Sequence, residues 1–355
     1  MTGNEAIGEG AIQAGCYFYA GYPITPQNEL TAYMAKRMIE EKRIFIQSES
    51  ELAAINMVLG ASAAGVRAMT SSSSPGISLK QEGISYLAGC QLPCVVVNIM
   101  RGGPGLGNIA PSQSDYFQAT KGGGHGDYHC ICLAPSSIQE AFDLMKLAFG
   151  LADQYTNPVL VLGDGMLGQM MEPLQLSVVS CQLSEQQKMK TENQKLKTKK
   201  WALTGCKNRK PNVIRSLYLQ EGVLEKLNKS LQNKYLVMKN QQQRWEELFL
   251  DDARIILVAY GTMARIASSV VRRLRKKGKR IGFIRPISLW PFPRKAFAPH
   301  LSKRIHYLVV EMSYCQMLED VKLAVGGSSP VEFLGRAGGG IPSEEEIIKK
   351  VISCK

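Results

Sequence analysis

No apolar run in this 355-residue chain reaches the roughly 18–20 residues that cross a bilayer, so no membrane span is expected. The opening residues, Met1-Thr2-Gly3-Asn4-Glu5, have neither a basic stretch nor an apolar one. No secretory signal is therefore expected, and a cytoplasmic protein is. The nine cysteines are scattered and odd in number, which argues against a disulfide scaffold in a chain this large. No CxxC occurs. The tight pair Cys130-Ile131-Cys132 lies in an apolar, strand-like run and reads as buried thiols rather than cluster ligands. The four histidines, His125, His129, His300 and His306, form no HExxH motif, so no protein-built metal site is expected. Neither GxGxxG nor GxxxxGK[ST] is present, and no nucleotide site follows.

Aromatic residues are few, at 7%, and do not interleave with the basic ones. The net charge is +13, with much of the excess in Lys188 to Arg244 and in Arg272 to Arg280. Without stacking aromatics or a recognisable motif, nucleic acid is a poor reading of that charge. Solvated helix faces, or a patch for an acidic electron carrier or an anionic cofactor such as coenzyme A, fit better.

What the chain does have is a series of loops rich in Gly, Pro and Ser, each after an apolar run. They are Gly21-Tyr-Pro-Ile-Thr-Pro26, Gln47-Ser-Glu-Ser-Glu51, Thr70-Ser-Ser-Ser-Ser-Pro-Gly76 and Arg101-Gly-Gly-Pro-Gly-Leu-Gly107. Such loops at strand ends are how an open α/β sheet builds a ligand site. An acid near a helix start and one Arg in a Gly-rich loop give this site charge of both signs.

Strands are expected at 16–20, 44–47, 67–70, 94–100, 129–134 and 159–162, alternating with helices at 4–14, 26–40, 51–64, 78–88 and 137–154. The alternation predicts an α/β fold with a mostly parallel, doubly wound sheet. Residues 176–250 are rich in Gln, Lys and Asn and read as a polar linker, exposed at 184–200 and helical within 218–248. Residues 251–355 return to α/β, with strands at 254–260, 281–284 and 307–311, a proline-punctuated loop at 286–293 and a Gly-rich turn at 335–341.

These loops, with Glu49-Ser-Glu-Leu-Ala-Ala-Ile-Asn56, Asn98 to Asp115, Gly163-Asp-Gly-Met-Leu-Gly168, Trp201 to Cys206 and Leu257 to Thr262, closely resemble the α subunit of the 2-oxoacid:ferredoxin oxidoreductases. Within that family the likeness is to the branched-chain (2-oxoisovalerate, VorB-type) subfamily, and it covers essentially the whole chain. The resemblance implies a transketolase-like pyrimidine-binding domain (1–175), the linker (176–250), and a smaller transketolase C-terminal-like α/β domain (251–355). It implies thiamine diphosphate chemistry: oxidative decarboxylation of a 2-oxoacid, acyl transfer to coenzyme A, and two electrons passed to ferredoxin. It also implies a β subunit with the diphosphate-binding domain and γ and ferredoxin-like δ subunits. Mg²⁺ and [4Fe-4S] clusters are then expected on partners, not on this chain.

Residue by residue, the resemblance makes Glu51 the carboxylate for the cofactor's aminopyrimidine. It lies nine residues before Gly60-Ala61, a better fit than Glu49, which remains the alternative. Arg101 is expected to hold the substrate carboxylate with a two-pronged guanidinium. Thr25 is expected either to bond the substrate or to cap a helix from Pro26. Ser72, Ser73 and Pro23 are expected to line the cofactor, and Gly102 the substrate. Gly163-Asp164-Gly165 imitates a diphosphate and magnesium motif, with Asn193 standing 29 residues after Asp164. Asn193 lies in a lysine-rich stretch with no strand before it, so metal binding there is not expected. Two other readings stay open: the same chemistry on 2-oxoglutarate or pyruvate, and a non-catalytic assembly subunit of the same fold.

Overall fold

The run Cys-Val-Val-Val-Asn-Ile-Met is buried along its whole length and forms the central strand β4 (Cys94–Met100) of the larger of two sheets. A continuous apolar run of this kind suits a parallel sheet covered on both faces. The computed structural model describes residues 1–176, 199–301 and 305–354. Around β4 lie β1 (Phe18–Gly21), β2 (Ile44–Gln47), β3 (Ala68–Ser72), β5 (Ile131–Leu133) and β6 (Pro158–Asp164). Their order is β5-β6-β4-β3-β1-β2, and all of these pairs are parallel. The helices between them are α1 (Gly3–Gln13), α2 (Asn28–Glu40), α3 (Glu51–Ala63), α4 (Ser74–Gly89), α5 (Tyr116–Thr120) and α6 (Ile138–Tyr155), with the short α7 (Gly165–Gln169) after β6.

From β1 the chain steps outward to β2, then returns past β1 to β3. The winding therefore reverses between β1 and β3, and that crevice is where an open sheet of this type takes its ligand. The register brings Gly21, Gln47, Ser72 and Met100 to the carboxyl edge of the sheet.

The smaller sheet has the order β12-β11-β8-β9-β7, from β7 (Trp245–Leu248), β8 (Ile255–Val258), β9 (Ile281–Pro286), β11 (His306–Glu311) and β12 (Val331–Gly335). Only β7 is antiparallel in it. The remaining strand, β10 (Ser288–Trp290), leaves this part of the chain and pairs antiparallel with β5, closing one side of the larger sheet. Trp290 there stacks on His129 with ring centres 4.6 Å apart.

Strands β2 and β4 and the start of α3 fall where the sequence predicts them. Helix α4 starts four residues earlier than expected, at Ser74, because Pro75 sits in the first turn, where it costs no hydrogen bond. Helix α2 starts later, at Asn28, so Thr25 is not its cap. Among the described residues of the polar region, the helix Val223–Gln241 is followed by β7 rather than by more helix. The expected exposure of 184–200 lies almost wholly outside the described residues, as does Asn193.

Candidate active site

Glu51 is the first residue of α3, and the Ser50 hydroxyl caps that helix by accepting from the Ala53 amide. The free amides of a helix start favour a negative charge. Glu51 is 6% exposed, whereas Glu49, two residues earlier, is exposed and outside the helix. Helix α4 presses directly on the Glu51 side chain. A Cβ placed on Gly76 would stand 2.0 Å from Ser72 Oγ and 2.5 Å from Glu51 Oε1. Glycine at 76 is what lets α4, the end of β3 and the acid share this space.

Arg101 leaves the end of β4 only 7% exposed. Its Nη1 donates to the Thr25 carbonyl at 3.0 Å and its Nη2 to the Leu106 carbonyl at 3.2 Å. Its Nε–H has no partner, and no carboxylate pairs with it among the described residues. Two carbonyls thus aim a buried cation without neutralising it. The Ser74 hydroxyl fixes its backbone, accepting from Arg101 N at 3.0 Å while donating to Asp115 at 2.6 Å. Thr25 is exposed, and its hydroxyl makes no hydrogen bond among the described residues. Pro23 is exposed in the same turn. Gly102 is buried and starts a loop pinned to itself by Gly102 N to Ala110 O at 2.9 Å and Asn108 N to Gly102 O at 3.0 Å.

Ser72 and Ser73 are fully buried, and neither hydroxyl has a partner among the described residues. Buried hydroxyls without partners are uncommon and point to a missing one. Beneath them Ser71 is fully engaged, to Tyr19 at 2.6 Å and Gln27 at 2.6 Å. Around the rim, Tyr22, Leu52, Leu79, Leu106 and Ile109 are exposed, Leu106 by 82%. The structure therefore joins Thr25, Arg101 and Gly102 on one side and Glu51 and Ser72 on the other, with Ser73 and Ser74 between them.

Two residues of this site escape sequence reasoning. Asp115 accepts from Ser74 and, at 2.8 Å, from Asn98; burial pushes its carboxyl up, and these two bonds partly offset that. Lys80 on α4 is fully buried and donates to the Glu51 carbonyl at 3.2 Å.

Asp164 has another occupation. Its Oδ1 caps α7, accepting from the Met166 and Leu167 amides at 3.0 and 3.1 Å. His125 and His129 stand four residues apart, but in a turn rather than a helix; the His125 carbonyl binds Ser85, and the His129 ring lies on Trp290. No grouping of three potential metal ligands occurs among the described residues. In the basic run, Arg273 pairs with Glu344 and Arg275 with Asp252, while Arg272, Lys276, Lys277, Lys279 and Arg280 face outward.

The comparisons with known proteins bear on this geometry. A family model described as pyruvate flavodoxin/ferredoxin oxidoreductase, thiamine-diphosphate-binding, matches residues 9–234. The chain belongs to this family. A second model, pyruvate:ferredoxin oxidoreductase core domain II, matches residues 253–347. Ketoisovalerate oxidoreductase subunit VorB of Methanothermobacter marburgensis is 46% identical, over 99% of this chain and 96% of that one. The 2-oxoglutarate synthase subunit KorA of Methanothermobacter thermautotrophicus is 36% identical, over 99% and 97%. Among solved structures, the 2-oxoglutarate:ferredoxin oxidoreductase of Magnetococcus marinus superposes with a TM-score of 0.85 at 26% identity. This chain covers 64% of that one. A split-gene transketolase shares the fold, with a TM-score of 0.61 at 13% identity, over 99% of this chain and 97% of that one. The chain is accordingly a subunit of a 2-oxoacid:ferredoxin oxidoreductase, and its fold is transketolase-like. No helix among the described residues is long and apolar enough to cross a membrane.

Proposed function

We propose that this subunit supplies half of the active site for oxidative decarboxylation of a branched-chain 2-oxoacid, 2-oxoisovalerate, to its acyl-coenzyme A. Electrons leave to ferredoxin. The observation that carries the reading is Arg101, a buried guanidinium held by two carbonyls and matched by no carboxylate among the described residues. An anionic substrate would supply the missing charge. The choice of acid rests on the 46% identity to a ketoisovalerate subunit against 36% to a 2-oxoglutarate one.

The residues also suit thiamine diphosphate. Glu51 stands at a helix start next to the unpartnered Ser72 hydroxyl, and Gly76 leaves room where any side chain would intrude. When bound, that cofactor supplies a nucleophilic thiazolium carbon and an electron sink. Glu51 holds a proton on the aminopyrimidine ring, which favours the tautomer that acts as base. Ser72, Ser73 and Pro23 line the ring. Arg101 grips the substrate carboxylate, Thr25 adds a hydroxyl, and Gly102 allows close approach.

The diphosphate end belongs, on this reading, to a β subunit that covers the apolar rim of Leu52, Leu79, Leu106 and Ile109. Mg²⁺ sits there, and the [4Fe-4S] clusters sit on γ and δ partners. Coenzyme A is the acyl acceptor and the complex is cytoplasmic. Residues 1–175, 176–250 and 251–355 are the pyrimidine-binding domain, the linker and the C-terminal-like domain. The test is an assay of the purified complex with coenzyme A, a viologen dye and a panel of 2-oxoacids. 2-Oxoisovalerate should give the highest specificity constant; a preference for 2-oxoglutarate or pyruvate overturns the assignment. Calorimetry on the lone chain should show weak thiamine diphosphate binding, and micromolar binding would refute a shared site.

A further inference from the structure

A single face of α4 grips the acid from two sides. Gly76, Lys80 and Gly83 recur at intervals of four and three, so they share that face. Gly76 meets the Glu51 carboxylate; Lys80 reaches the Glu51 carbonyl; a Cβ on Gly83 would stand 2.5 Å from Ile55, one turn further along α3. Gly76 and Gly83 bring the two helices so close that Lys80 is sealed between them, at 0% exposure.

A sealed lysine is costly. Its ammonium has three hydrogens to place, and among the described residues the Glu51 carbonyl is its hydrogen-bond partner. Burial pulls it down to about 7, and the negative charge of Glu51 opposes that pull. Among the described residues no other charged group acts on it: the neighbouring end of β3 is Thr70, Ser71 and Ser72, and Asp115 is taken by Ser74 and Asn98. Packing alone would be served better by methionine or leucine, so the lysine needs another explanation.

We propose that Lys80 is a positioning residue for Glu51: pinned to the Glu51 carbonyl, it fixes the first turn of α3 and with it the place of the Glu51 carboxylate. This rests on the reading of Glu51 as the carboxylate that serves the cofactor. Lys80 touches neither substrate nor cofactor and acts from behind the acid.

Two substitutions in the assembled complex separate the parts of this role. Lys80→Met removes donor and charge; Lys80→Gln keeps a donor for the Glu51 carbonyl and removes only the charge. In Lys80→Met, turnover should fall at least about tenfold, while the melting temperature stays level or rises. Lys80→Gln should recover turnover to within about threefold of wild type, because a donor to the Glu51 carbonyl is what the role requires. Calorimetric binding of thiamine diphosphate should weaken in Lys80→Met and recover in Lys80→Gln, without any turnover. Glu51→Gln is measured alongside. If it stays active, the reading of Glu51 fails; if it is inactive and Lys80→Met keeps wild-type turnover, or Lys80→Gln falls as far as Lys80→Met, only the role of Lys80 fails. Failure of both Lys80 variants to assemble would make the residue structural and overturn the inference equally.

Discussion

A guanidinium buried without a counter-ion is held ready at a cost to folding, because its attraction is unspent until an anion arrives. Arg101 is in that state, aimed by the Thr25 and Leu106 carbonyls. Arg101→Lys keeps the charge and loses the fork. The specificity constant of the assembled enzyme should drop roughly 10- to 150-fold, mostly through the Michaelis constant. Steady-state kinetics with 2-oxoisovalerate checks this, and an unchanged response removes Arg101 from the substrate site. Lys80 answers to pH instead. Its usual value near 10.5 is lowered to about 7 in the fold, so folding favours the neutral amine. The stability this gives is full above about 10.5, is lost as pH falls towards 7, and changes little below that. Lys80→Met abolishes the dependence. The melting temperature of the variant minus that of the wild type should therefore widen between pH 10 and pH 7 and then level off. That Glu51 opens a helix and Arg101 follows a strand was legible, because each stands in a long motif. Lys80 was not: Leu79-Lys80-Gln81-Glu82 carries no recognisable motif, and it is the two helices closing at Gly76 and Gly83 that bury the lysine.

At the scale of the element, α4 sets the geometry of the site more than any loop does. Gly76→Ala would drive a methyl into Ser72 Oγ and Glu51 Oε1. Overpacking of this kind costs about 1–3 kcal/mol, partly offset by about 1 kcal/mol of better helix propensity. Thermal unfolding should thus change by a few degrees at most, while turnover falls far more, because the acid itself is displaced. Parallel measurement of the two decides it; equal, small effects would show that Glu51 tolerates movement. Element boundaries were least readable beside prolines. The helix expected from 78 begins at Ser74, with Pro75 inside its first turn. Pro26 looked like a helix start, but α2 waits until Asn28. The strand β10 was hidden in a run with Pro286, Pro291 and Pro293, because three residues on a sheet edge need few amide donors.

Across the whole molecule the two sheets are bound through buried polar contacts. Gln113, fully buried, donates to the Tyr260 carbonyl at 2.9 Å, accepts from the Met312 amide at 2.9 Å, and donates its own amide to the Met312 carbonyl at 2.9 Å. Tyr116 donates to Asp320 at 2.7 Å, and Arg285 forks onto Glu140 at 2.8 and 3.0 Å. Gln113→Ala leaves the buried Met312 amide without a partner, at about 1–3 kcal/mol, and takes one of two donors from the Tyr260 carbonyl, which keeps the Ala264 amide at 3.2 Å. Calorimetry should show one unfolding transition, lowered by several degrees; two resolved transitions would mean that the sheets fold independently. None of these pairings could be read from the sequence, since the partners lie 145 to 204 residues apart. The alternating pattern revealed each sheet but not what joins them.

Strand β10 has a consequence for anyone who cuts this chain. A break near residue 250 looks natural, because the smaller sheet's remaining strands lie beyond it. It would separate β5 from the strand that covers its edge and remove Trp290 from His129. The amino-terminal fragment would end on a bare strand, an invitation to pair with other copies of itself. Gene splitting, domain grafting or truncation at that junction therefore yields an aggregating piece rather than a module. A fragment meant to stand alone must carry Ser288–Trp290 with it, even though the sequence between belongs to its neighbour.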